Sequence, residues 1–125
     1  MVEHFGTVLR EIRTQKKIYL KELAEKMGWS IVYLSDIERG RRNPPAKNFI
    51  SQLAEFLNVK ASHLLNAADR ERGFVELNLN NATSTKTKAA LTLARSWNNL
   101  TEEDWDEIIK LISEKHGTDG EDHER

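Results

Sequence analysis

Leu20-Lys21-Glu22-Leu23-Ala24-Glu25-Lys26-Met27-Gly28-Trp29-Ser30-Ile31-Val32-Tyr33-Leu34-Ser35-Asp36-Ile37 is the stretch that decides the fold of this chain. Leu20, Leu23, Ala24 and Met27 recur on one face of a helix, and Gly28 stops it. Ser30 is a good N-cap for a second helix, in which Leu34 and Ile37 form the inward pair. Ala24 is the small residue at the place where two steeply crossed helices must touch. Leu23, Met27, Leu34 and Ile37 fill the angle between them. A helix-turn-helix demands this arrangement, because its second helix must stand clear of the body to enter a major groove.

The same period continues on either side. Phe5, Val8, Leu9 and Ile12 predict a helix before this stretch. Gly40 ends the second helix of the pair. Arg41-Arg42-Asn43-Pro44-Pro45 reads as a loop, since Pro disfavours helix at the residue before it. Phe49, Ile50, Leu53, Ala54 and Leu57 predict a fourth helix. A shorter fifth runs from about Ser62, with Leu64 and Leu65 facing inward.

Composition shifts near Asp69, so the first domain is expected to span residues 1–70. Val75, Leu77 and Leu79 alternate, which predicts a short strand. Asn80 to Thr85 reads as a polar linker. Ala90, Leu91, Ala94 and Trp97 predict a sixth helix, broken at Asn98-Asn99. Thr101 with Asp104 resembles a capping box, and Glu102, Glu103 and Asp104 suit the positive end of a helix dipole. Trp105, Ile108, Ile109 and Ile112 form the stripe of a seventh helix, capped by Gly117.

Two helices joined so closely make a hairpin, and a hairpin alone buries little surface. Residues 71–117 are therefore expected to form a helical dimerisation or partner-binding region. Val75, Leu77, Leu79, Trp97, Trp105, Ile108, Ile109 and Ile112 are its candidate contacts, with the strand as a pairing edge between subunits. Residues 118–125 are expected to be a disordered acidic tail. The fold class is all-α: a five-helix domain built around the helix-turn-helix, a short strand and a C-terminal helical hairpin.

Leu9-Arg10-Glu11-Ile12-Arg13, Leu23-Ala24-Glu25-Lys26-Met27-Gly28, Ile37-Glu38-Arg39-Gly40-Arg41-Arg42-Asn43-Pro44 and Leu53-Ala54-Glu55-Phe56-Leu57-Asn58-Val59 resemble the Xre/Cro-type helix-turn-helix domain. That domain binds DNA in lambdoid phage repressors and in many bacterial regulators and antitoxins. The resemblance covers about residues 5–66. It implies a third helix that reads a double-stranded DNA operator, usually as a homodimer.

The resemblance also implies roles for single residues. Arg13 and Glu38 match a pair that links the first helix to the third. Arg39, Arg41, Arg42 and Asn43 match the loop that meets the phosphate backbone. Phosphate contacts fix register without carrying sequence information. Ser30, Ile31, Val32, Tyr33 and Asp36 occupy the reading surface, where this chain departs from the Gln, Arg or Ser common in the family. Ile31 and Val32 can pack on thymine methyl groups. Tyr33 can hydrogen-bond or stack, and Asp36 can accept from cytosine N4. Leu20 stands where the family tends to place Gln, and Lys21 and Lys47 are the substitute phosphate partners.

The chain has 125 residues, no Cys and a formal net charge of −1. It can form neither a disulfide nor a Cys-based zinc site. No apolar run approaches the roughly 20 residues of a membrane span, and the N-terminus lacks the features of a signal peptide. A cytoplasmic, nucleoid-associated protein is expected. The net charge conceals an asymmetry. Residues 1–70 hold 12 Lys and Arg against 8 Asp and Glu, a charge of +4, and residues 71–125 hold 7 against 12, a charge of −5. Such a split points to a nucleic-acid-binding part and a separate acidic part.

Chemistry is not expected. His116 and His123 lie near Asp119 and Asp122 in sequence, without the fixed ligand set a metal needs. Glu102, Glu103, Asp104, Asp106 and Glu107 are explained by a helix N-terminus. No nucleophile elbow, phosphate loop or zincin motif occurs. The chain reads as a non-enzymatic regulator without cofactor or metal, most simply a homodimeric repressor on a palindromic operator. The alternative is an antitoxin that binds its toxin through the C-terminal half and represses its own operon.

Overall fold

A computed structural model describes residues 4–116. Seven helices follow one another: α1 (Phe5–Gln15), α2 (Leu20–Met27), α3 (Ile31–Glu38), α4 (Lys47–Leu57), α5 (Ala61–Arg72), α6 (Ser84–Ser96) and α7 (Glu102–His116). The chain divides into two units, with the break between Phe74 and Val75.

The first unit holds α1–α5 around one apolar core. Phe5, Leu9, Leu23, Ala24, Leu34, Ile37, Ile50, Leu53, Leu57 and Leu64 are buried, and every helix of the unit contributes. The contacts run α1 on α3 and α5, α2 on α3 and α4, and α4 on α5. Ala24 is fully buried, as the crossing of α2 and α3 requires. Gly28 ends α2 at φ +71, a left-handed position where a Cβ is costly. The next amide, that of Trp29, donates to the Ala24 carbonyl at 2.9 Å and closes the turn. Ser30 then caps α3, its Oγ accepting from the Tyr33 amide at 3.0 Å.

α5 is longer than its sequence pattern indicates. It runs to Arg72 because Ala67 and Ala68 continue the buried face past Leu64. The last turn also carries tertiary bonds. Glu71 accepts the amide of Phe5 at 2.9 Å, so a side chain of α5 caps the start of α1. The first unit therefore extends past residue 70.

The second unit departs from expectation in two places. Val75, Leu77 and Leu79 form no strand; they lie in irregular chain and are exposed. An alternating apolar run becomes a strand only when another strand satisfies its backbone, and the described residues supply none. Ser84 and Thr85, read as linker, form the first turn of α6. Thr83 caps it, accepting from the Lys86 amide at 3.1 Å. Thr101 and Asp104 form a reciprocal capping box at α7: the Thr101 amide donates to Asp104 at 2.9 Å and the Asp104 amide to Thr101 Oγ1 at 3.1 Å. Trp97 and Trp105 pack with ring centroids 4.6 Å apart. Neither α6 nor α7 holds a buried residue. Gly117 and the 118–125 tail lie outside the described residues.

Gly6 sets the approach of α1 to α3. A Cβ there would lie 2.6 Å from the Glu38 carbonyl oxygen and nearer still to that of Ile37. Backbone cannot yield as a side chain tip can. Gly6→Ala should destabilise the first unit by about 3 kcal/mol, the upper end of the range for overpacking. Gly28→Ala meets open space and only unfavourable φ, so it should cost about 1 kcal/mol. Urea unfolding followed by circular dichroism measures both, and equal costs would contradict the close approach.

Candidate nucleic-acid interface

The exposed side of α3 follows from its buried side. Leu34, Ile37 and Glu38 face inward, which turns Ile31 and Val32 out. Val32 is 69% exposed, a large value for an apolar side chain in a folded unit. Tyr33 is half-buried, with its ring edge-on to Trp29 at 5.1 Å between centroids. Trp29 meets Phe49 of α4 in turn, at 6.0 Å. These three rings tie the turn, the first turn of α3 and the first turn of α4 together.

The loop after α3 brings its charges back onto the helix. The Arg42 guanidinium lies 5.0 Å over the centre of the Tyr33 ring. Its Nε is 3.7 Å from Asp36 Oδ2, and Arg41 Nη1 is 3.9 Å from Asp36 Oδ1. These pairs are long and the arginines remain more than half exposed, so each contributes little in water. They leave the guanidinium groups placed, with the Asp36 carboxylate replaceable by another anion. Arg39, Asn43, Lys21 and Lys47 are exposed, at the C-cap of α3, in the loop, and in the first turns of α2 and α4.

Behind this surface lies one buried ion pair. Arg13 Nε donates to Glu38 Oε2 at 2.7 Å and Nη2 to Oε1 at 3.0 Å. Nη1 donates to the Ile18 carbonyl at 2.8 Å. The side chains are 12% and 5% exposed. The fork spans α1, the connection to α2 and the last turn of α3.

The helix-turn-helix family model matches residues 9–64. Over these residues the chain is of the Xre/Cro helix-turn-helix type. It is 38% identical over 72 residues to the transcriptional regulator RghRB of Bacillus subtilis, covering 58% of this chain and 52% of that one. Over 64 residues it is 38% identical to the regulator SinR of Bacillus licheniformis, covering 51% and 58%. A crystal structure of SinR, the master regulator for biofilm formation, in complex with DNA shares 36% identity, covers 49% of this chain and 97% of that one, and superposes with a TM-score of 0.46. The chain spans about half the length of the curated relatives it matches.

Within this helix-turn-helix region the structure gathers Tyr33, Asp36, Arg41 and Arg42 into one contact set. It holds Ser30 as a cap and leaves Ile31 and Val32 open. Sequence reasoning missed Trp29 as the support of Tyr33, and read Phe49, which packs on Trp29, only as part of the fourth helix. Trp29 falls between the stop glycine and the cap serine, where no helical period marks it. It also missed Arg72, which donates to the carbonyls of Pro44 and Pro45 in the loop.

The second unit keeps the other candidate residues at its surface. Val75, Leu77, Leu79, Trp97, Ile109 and Ile112 are exposed, and Trp105 and Ile108 are half-buried. Among the described residues no cluster of His, Asp and Glu could hold a metal, and no helix is long and apolar enough to cross a membrane. His123, Asp119 and Asp122 lie outside the described residues.

Removing one partner of the Arg13–Glu38 pair strands a buried charge. Glu38→Ala should cost about 3–5 kcal/mol, whereas replacing both partners by apolar residues of like volume should recover most of the loss. Denaturant titration of the single and double variants reads this directly. A loss below about 1 kcal/mol for Glu38→Ala would place the pair among surface bridges instead.

Proposed function

We propose that this chain is a sequence-specific DNA-binding transcriptional regulator, acting as a homodimeric repressor on a palindromic operator. One observation carries the reading: an open first turn of α3, bearing Ile31 and Val32, stands beside a loop whose arginines converge on the same helix. The likeness to RghRB and SinR, both named as transcriptional regulators, supports it.

α3 enters the major groove, and Ser30, Ile31, Val32, Tyr33 and Asp36 meet base edges. The two apolar side chains favour thymine methyl groups, and the Asp36 carboxylate favours the cytosine amino group. Arg39, Arg41, Arg42 and Asn43 meet phosphates, with Lys21 and Lys47 at the helix starts beside them. Repression follows from occupying a promoter and requires no reaction. The exposed apolar residues of α6 and α7 are the dimer contact, and two-fold pairing sets two α3 helices on two half-sites.

Selection of bound duplexes from random sequence, followed by affinity measured across salt concentrations, tests the reading. Arg42→Ala should weaken binding to every duplex and lower the salt slope by about 1. Val32→Ala should change which duplex is preferred while leaving that slope alone. Recovery of no preferred sequence would defeat the proposal. Light scattering on the full chain and on a chain ending at Phe74 tests the dimer contact: the shorter form should be monomeric. A shorter form that dimerises equally well would remove that role from α6 and α7.

A further inference from the structure

We propose that Arg72 is a positioning residue for DNA docking: it anchors the loop that presents Arg42 and Asn43. The inference rests on the reading of that loop as a phosphate contact. Arg39 to Ala46 connect α3 to α4. At the front, the Arg41 amide donates to the Asp36 carbonyl at 2.8 Å. At the back, the Ala46 carbonyl accepts from Phe49 and Ile50 at 3.0 and 3.1 Å. Between them, from Arg42 to Pro45, no amide donates to another backbone carbonyl among the described residues. Pro44 and Pro45 have no N–H to offer. Both are buried, and a buried carbonyl needs a donor.

Arg72 supplies it. Its Nη2 donates to the Pro44 carbonyl at 3.1 Å and to the Pro45 carbonyl at 2.6 Å. Asp69 Oδ1 lies 3.9 Å from Nη1. The side chain is 25% exposed, so its charge is turned into the unit and away from a ligand. The hydrogen bonds have an ionised donor and are stronger than neutral ones. One end of the loop is thus tied to α3, and its middle is tied to the last residue of α5. Without the second tie, Arg42 and Asn43 must lose more conformational freedom when they meet phosphate, and affinity falls. Both bonds leave one nitrogen, Nη2; lysine keeps the charge, but its ammonium ends one bond short of that position on a flexible stem, so it cannot hold both carbonyls at these distances.

The experiment uses the full chain and a duplex recovered by selection. Anisotropy titrations across salt concentrations compare Arg72→Lys, Arg72→Ala and Arg42→Ala, and nitrogen relaxation reports the mobility of the Arg42 and Asn43 amides. Arg72→Lys should lower affinity on the order of tenfold, leave the salt slope unchanged and loosen both amides. Arg72→Ala should lose at least as much with the same slope. Full affinity in Arg72→Lys would overturn the proposal. A slope reduced in Arg72→Ala as in Arg42→Ala would overturn it too, because Arg72 would then touch phosphate itself. Unchanged amide mobility in Arg72→Lys overturns the anchor whatever the affinity does. A wild-type chain that binds no duplex overturns the DNA reading instead, and loosened amides in that case separate the two failures.

Discussion

Arg13 and Glu38 meet in the first unit as a two-pronged ion pair, and the attitude of α3 depends on it. The guanidinium reaches the last turn of α3 with two nitrogens and the Ile18 carbonyl with the third. Three segments are therefore held by one planar group. Leu34 and Ile37 fix which face of α3 is buried. The planar fork adds a directional constraint that apolar contacts lack. Gly6 serves the same end, since its missing Cβ lets α1 lie against the Ile37 and Glu38 carbonyls. Burial of two charges is costly in itself. What the pair contributes is one definite orientation for the helix whose outer turns are open.

That orientation is passed outward by contacts of a different kind. Trp29, Tyr33 and Phe49 form a chain of edge-on rings from the turn to α4. Arg42 lies on the face of Tyr33, and Asp36 flanks both loop arginines. None of these exposed contacts is strong. Their effect is to narrow where the guanidinium groups sit before any anion arrives, which reduces the ordering cost of association. The candidate interface has its buried charge at its base, in the Arg13–Glu38 pair, and its water-exposed charge at its rim, in Arg41 and Arg42.

Much of this was legible in the amino-acid order. Helical periods located all seven helices, because Leu, Ile and Ala repeat at the spacing of one buried face. The turn between α2 and α3 was legible from Gly28 and Ser30, where backbone conformation and capping leave few alternatives. Thr101 and Asp104 marked their own cap. Val75, Leu77 and Leu79 misled, since alternation measures a face and not the existence of a neighbouring strand. Ser84 and Thr85 misled in the opposite sense: polar residues at a helix start look like linker. The tertiary ties were the least legible. Glu71 and Arg72 act on residues 66 and 27–28 positions away, and local composition carries no trace of that. A boundary drawn from composition at residue 70 cuts Glu71 off from the start of α1 and Arg72 off from the loop it holds.

Charge shows why a whole-chain sum is a poor guide to a surface. The total of −1 is the sum of +4 over residues 1–70 and −5 over the remainder. Even the +4 is coarser than what an approaching anion meets. At the loop, Arg41 and Arg42 share the one carboxylate of Asp36. Long, exposed pairs are weak in water and weaker in salt, so Asp36 does not neutralise them; it lowers the field that any phosphate would feel. Non-specific affinity for DNA is chiefly electrostatic, whereas discrimination comes from base edges. In the proposed complex, a helix that carries a carboxylate beside the loop arginines gives up some of the first. It thereby makes the apolar contacts of Ile31 and Val32 a larger share of what distinguishes one duplex from another.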